Sequence, residues 1–123
     1  MPKILLVEDD NLTRTTLSQF LRANGYEVEL AEGGAQALSL LKENKFDLVV
    51  SDVVMPNVKG WDLWEHISAT APDTPVLLMT AYAAVQAQSR QAQSRAMPEV
   101  ILKPLLLTDL LSKIQNILQQ KPP

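Results

Sequence analysis

The sequence holds no cysteine and a single histidine among its 123 residues. The first absence excludes thiol catalysis, CxxC redox chemistry and Cys-ligated zinc; the second excludes metal sites built from several histidines. Lys and Arg number 11 against 14 Asp and Glu, for a formal charge of -3, and no basic cluster breaks the mixture. That balance argues against nucleic acid as a direct ligand, so proteins are the expected partners. No apolar run approaches the roughly 20 residues needed to cross a bilayer, and no membrane contact is expected. The opening Met1-Pro2-Lys3-Ile4 enters a strand-like run at once, without the charged-then-apolar pattern of a secretion signal. A cytoplasmic protein is the expectation. What is present is apolar material, 46% of the residues. A chain of this size buries roughly two-thirds of its unfolded surface, enough for one core without disulfides or a structural metal.

The apolar residues are arranged in a repeating order. Ile4-Leu5-Leu6-Val7 is a short branched run stopped by Glu8-Asp9-Asp10, the pattern of a strand buried on both faces. Asp10 suits the N-cap of a helix carrying Leu17, Phe20 and Leu21, and Gly25 suits its end. A second strand is predicted from Tyr26 to Leu30, then a helix after Gly33-Gly34 with Ala37, Leu38 and Leu41 on one face, closed by Asn44 and Lys45. Leu48-Val49-Val50 ends at Ser51-Asp52, and Pro56 and Gly60 lead to a helix with Leu63, Trp64 and Ile67. Val76-Leu77-Leu78-Met79 ends at Thr80; Val100-Ile101-Leu102 ends at Lys103-Pro104. The last helix has Leu107, Leu110, Leu111, Ile114, Ile117 and Leu118 on one stripe, with Thr108 near its N-cap. Five strands alternating with five helices require parallel pairing through right-handed crossovers, an α/β (βα)5 sheet with helices on both faces. One segment is irregular. Gln-Ala-Gln-Ser-Arg occurs at 86–90 and again at 91–95, and five residues advance a helix by about 500°, so the copies share no face and the fourth helix is expected to dock weakly.

In an open parallel sheet, ligands collect beyond the carboxyl ends of the strands, near the point where strand order reverses. Four strand runs end there in polar residues: Glu8-Asp9, Asp52, Thr80 and Lys103. Three carboxylates in one crevice repel each other; at an effective dielectric of about 20, each pair about 4 Å apart costs about 4 kcal/mol. Lys103 supplies one offsetting charge. An all-oxygen group with few protein ligands suits Mg2+, which keeps several waters. Taken alone, Glu8-Asp9 also reads as a helix N-terminus that favours negative charge; Asp52, Thr80 and Lys103 in matching places outweigh that reading.

Ile4-Leu5-Leu6-Val7-Glu8-Asp9-Asp10, Asp52-Val53-Val54-Met55-Pro56 with Gly60, Met79-Thr80-Ala81 and Lys103-Pro104 together make a specific set. On these residues the chain resembles the receiver domains of bacterial two-component signalling, from Lys3 to about Leu118. The resemblance implies a flavodoxin-like three-layer fold with strand order 2-1-3-4-5, a receiver unit over 1–119, and a tail or linker start at 120–123. It implies that Asp52 is the phosphoacceptor, taking a phosphoryl group from a sensor histidine kinase or His-phosphotransfer protein. Mg2+ would be held by Asp9, by Asp52, by the Val54 backbone carbonyl and, through water, by Glu8. Lys103 would pair with one phosphoryl oxygen, and the Thr80 hydroxyl and Ala81 amide with another. The family's Lys-Pro bond is usually cis, which Pro104 allows. Such a protein is a conformational switch, catalysing only its own phosphorylation and dephosphorylation.

Several positions depart from the family pattern. Val100 stands where an aromatic residue often reports phosphorylation, and valine is stiff at χ1 and has no ring to swing. Ala96-Met97-Pro98 replaces a common Gly-Ala pair, the Thr80 to Lys103 spacing is about one residue longer than usual, and Leu105 replaces a frequent Phe. These changes gather on the fourth helix, fifth strand and fifth helix, a face through which the resemblance implies a homodimer or output contact. A pseudo-receiver serving as a constitutive docking module is the first alternative. An aspartyl-phosphate hydrolase of the haloacid dehalogenase type is the second, disfavoured because Val54 occupies the place of its second acid and the chain is too short for its cap domain. His66 is expected at the surface, and Trp61 and Trp64 as core and rim packing. Val54 and Tyr82 flank the expected acyl phosphate, where bulky side chains would screen water and prolong its life.

Overall fold

A computed structural model describes residues 1–53, 60–80 and 99–120. The strands are β1 (Lys3–Val7), β2 (Glu27–Ala31), β3 (Leu48–Asp52), β4 (Val76–Thr80) and β5 (Glu99–Leu102); the helices are α1 (Asn11–Ala23), α2 (Gly34–Glu43), α3 (Gly60–Thr70) and α4 (Leu107–Gln120). The expected fourth helix, with its duplicated pentapeptide, and Val54, Ala81 and Tyr82 lie outside the described residues. The last helix of the sequence reading is therefore α4 here. All four strand pairings are parallel, in the order β2-β1-β3-β4-β5. This is the expected flavodoxin-like arrangement. Among the described residues no helix is long and apolar enough to cross a membrane.

Side-chain alternation along each strand divides the interior into two cores. Ile4, Leu6, Leu48, Val50, Leu77 and Met79 meet Leu17 and Leu21 of α1 and Leu110, Ile114 and Ile117 of α4. Leu5, Val7, Val49, Val76 and Leu78 meet Ala37 of α2 and Leu63, Trp64 and Ile67 of α3. Fully burying each such side chain contributes about 1.5–3 kcal/mol, so the continuous apolar runs of β1, β3 and β4 fix them as the inner strands. The edge strands are less covered, with β5 reading exposed, half-buried, half-buried, exposed.

Local signals explain most boundaries. The Asp10 carboxylate accepts the Thr13 backbone N–H at 2.8 Å and caps α1. Gly25, at φ 93°, turns the chain out of that helix in the left-handed region that glycine favours. Two expectations need correction. The second strand begins at Glu27, not Tyr26, because the Tyr26 N–H turns back to the Leu21 carbonyl at 3.2 Å. Thr108 is the second residue of α4, which begins at Leu107, and so lies near the N-cap as expected. Leu107 itself is 36% exposed, since the stripe meets the sheet only from Leu110 onward.

Candidate functional site

The chain leaves β1 for β2 on one side, and β3 pairs on the other. The reversal of strand order therefore falls between β1 and β3. Glu8 and Asp9 follow β1, and Asp52 ends β3. One carboxylate oxygen from each can lie within 4.8 Å of the others; Glu8 and Asp52 are buried and Asp9 is exposed. Lys103, just beyond β5, donates from Nζ to Asp52 Oδ2 at 2.8 Å and stands 3.9 Å from Glu8 Oε2. Thr80 is buried at the end of β4, and its carbonyl accepts the Lys103 backbone N–H at 2.7 Å. The Lys103-Pro104 bond is cis.

Glu8 is held at several points. Its backbone N–H donates to the Ala31 carbonyl at 3.1 Å, its Oε1 accepts the Asp10 N–H at 3.1 Å, and its carbonyl accepts Arg14 Nη1 at 2.9 Å. Its other oxygen, Oε2, is buried without a hydrogen bond. Burial raises the Glu8 carboxyl to about 7; the Asp10 N–H lowers it in part, and the charge of Asp52 raises it again. Burial pulls Lys103 down, but the hydrogen bond and charge of Asp52, followed by Glu8 and Asp9, outweigh it and hold the ammonium above its ordinary value. Lys103 therefore stays charged beside Asp52. Glu8 Oε2 thus has the Lys103 ammonium at 3.9 Å and two further carboxylates near it, an all-oxygen acidic group that would suit a hard divalent cation.

Behind Asp52, the Ser51 hydroxyl donates to the Asp52 carbonyl at 2.9 Å. A Cβ on Gly60 would stand 2.6 Å from that same carbonyl oxygen and 2.8 Å from the Val53 Cα. Gly60 is thus required by close approach of α3 to the end of β3, a physical reason the sequence did not disclose. Two other features were also missed. Arg14 reaches the Glu8 carbonyl, and a crevice of about 410 Å3 opens beside Lys103, lined by Leu12, Leu17, Pro104, Leu105 and Leu107.

A family model for the response regulator receiver domain matches residues 4–115. The chain belongs to this family. Response regulator MprA from Mycobacterium sp. (strain KMS) is 36% identical over 121 residues, which cover 98% of this chain and 52% of MprA. The receiver thus spans about half the length of the curated relatives it matches. Among solved structures, the non-phosphorylated HemR receiver domain from Leptospira biflexa is 37% identical, with TM-score 0.88, covering 100% of this chain and 98% of that one. The response regulator TrrA from Thermotoga maritima, solved in complex with Mg2+-BeF, is 28% identical, with TM-score 0.85 over 95% of this chain and 99% of that one.

Other expectations also meet their positions. His66 is exposed. Trp64 is buried and Trp61 half-buried, their rings edge to face with centroids 5.9 Å apart. Val100 is half-buried and packs on the core shared by α2 and α3.

Proposed function

We propose that this receiver is a conformational switch that accepts a phosphoryl group on Asp52 from a phosphohistidine of a sensor histidine kinase or His-phosphotransfer protein. The observation that carries this reading is the Lys103 ammonium 2.8 Å from a buried Asp52 beside Glu8 and Asp9. Asp9, Asp52, the Val54 carbonyl and, through water, Glu8 would hold Mg2+, which when bound neutralises charge on the phosphoryl oxygens. An oxygen of Asp52 forms the new O–P bond as the donor's P–N bond breaks, and the imidazole leaves. Lys103 shifts its ammonium from Asp52 Oδ2 to one phosphoryl oxygen, while the Thr80 hydroxyl and Ala81 amide take another. Phosphoryl transfer is mostly positioning and electrostatics, so fixed groups of this kind suffice.

The donor must bring its histidine to Asp52, and an apolar surface lies beside the entrance. Leu12 is 76% exposed and Leu107 36% exposed, and both line the crevice next to Lys103. Such a leucine patch suits the apolar face of a partner helix. The same reading takes residues 1–119 as the receiver unit, with 120–123 as tail or linker. It extends to a homodimer through the fourth expected helix, β5 and α4, supported by the edge position of β5 and the 47% exposure of Leu102.

Incubation with a small-molecule phosphodonor and Mg2+ is expected to add one phosphoryl mass to the protein and none to Asp52→Asn. An unchanged wild-type mass, or equal gain in the variant, would refute the assignment of Asp52.

A further inference from the structure

We propose that Arg14 is a positioning residue for the acidic site: its guanidinium fixes the Glu8 carbonyl and, through it, the relative placement of the Glu8 and Asp9 carboxylates that sets divalent-cation affinity. This rests on the reading of the site given above. Arg14 belongs to α1, yet its side chain is only 11% exposed. In sequence it stands at i, with Leu17, Ser18 and Leu21 at i+3, i+4 and i+7, and those three are buried. An arginine on the buried stripe of a helix needs partners, and it has them. Nη1 donates to the Glu8 carbonyl at 2.9 Å, Nη2 donates to Asn11 Oδ1, and the Glu32 carboxylate lies 3.6 Å from Nη2.

The carbonyl of residue 8 belongs to the peptide unit that joins Glu8 to Asp9. The Ala31 carbonyl holds the N–H of residue 8, in the preceding peptide unit, from the β2 side, so Arg14 supplies from the α1 side the anchor of the unit that follows. With both in place, the peptide units on either side of the Glu8 Cα are held, and Arg14 restrains the one that leads into Asp9. Groups that orient metal ligands without touching the metal commonly change affinity by about 10–100-fold when removed. An opposing effect exists, since a cation near the site repels another, and losing it would tighten binding. Glu32 already offsets that charge at 3.6 Å, so loss of the anchor dominates.

The two effects separate on substitution. Arg14→Ala removes both charge and anchor. Arg14→Lys keeps the charge but loses the planar fork that engages the Glu8 carbonyl and Asn11 together. Mg2+ affinity is measured by calorimetry on the unphosphorylated chain, with melting curves in chelator beside it. Both variants are expected to bind Mg2+ about tenfold more weakly than wild type, and Asp9→Asn more weakly still. Wild-type or tighter affinity in Arg14→Ala, full rescue by Arg14→Lys, or a lowered melting temperature with unchanged affinity would each overturn the role. A wild-type protein that binds no Mg2+, or an Asp9→Asn variant that binds as wild type does, would overturn the site reading and this inference with it.

Discussion

Replacing Glu8 by glutamine should stabilise the metal-free protein at mildly alkaline pH. Burial and the neighbouring Asp52 hold the Glu8 carboxyl at about 7, against 4.5 for an exposed glutamate. Between those values the folded chain keeps a proton that the unfolded chain has released, so the free energy of unfolding falls as pH rises. Each pKa unit corresponds to about 1.4 kcal/mol, and the whole rise to about 3 kcal/mol lost by pH 8. Set against about 5–15 kcal/mol for an ordinary domain, the loss is large. Glutamine keeps the shape and carries no charge. In chelator, Glu8→Gln should match wild type below about pH 4.5 and exceed it by up to about 3 kcal/mol near pH 8, roughly 10 °C in melting temperature. Added Mg2+ should stabilise wild type more than the variant and narrow the difference, since Glu8 would reach the ion only through water while Asp9 and Asp52 would still hold it directly. Urea denaturation followed by circular dichroism from pH 4 to 8 measures all of this. A variant with the same pH slope as wild type would show that Glu8 is not the group responsible.

Two further outcomes follow from the surroundings of Asp52. Leu12→Ser should slow phosphotransfer from a phosphohistidine donor by at least about fivefold, ~1 kcal/mol of lost contact, while leaving phosphorylation by a small-molecule donor unchanged; equal slowing with both donors would place the defect in the chemistry and not in docking. Gly60→Ala places a methyl group 2.6 Å from the Asp52 carbonyl oxygen, and the forced shift should cost about 1–3 kcal/mol in urea denaturation. An alanine variant as stable as wild type would show that α3 moves aside freely.

The fold was legible because polarity changes abruptly at the strand ends. Ile4 to Val7 and Val76 to Met79 are apolar at every position and are fully or nearly fully buried, so burial on both faces could be read directly. Strand order was different: alternating elements require parallel pairing, but which strand neighbours which came from the resemblance. The gathering of charged groups was legible where residue type carries the charge, as at Asp52 and Lys103, which the structure brings to 2.8 Å. The site was illegible where close approach or a backbone contact shapes it. Arg14 offered one signal, a cation in step with Leu17 and Leu21, but in a sequence an exposed basic residue and a buried one look alike until their partners are placed. Gly60 gave only its type, and the Asp52 carbonyl it accommodates is brought near by tertiary packing. The one-residue offset of β2 has the same origin, because the hydrogen bond from Tyr26 back to Leu21 depends on how α1 ends.

The division of the interior by the sheet has a further consequence. Among the described residues, buried side chains on opposite faces of β1 and β3 fall into two separate clusters, so paired substitutions such as Leu17→Ala and Ile67→Ala should have additive energetic effects. A change that reshapes α1 for a new partner is then insulated from the packing of α2 and α3. Recognition can drift on one flank while the other keeps the scaffold in trim.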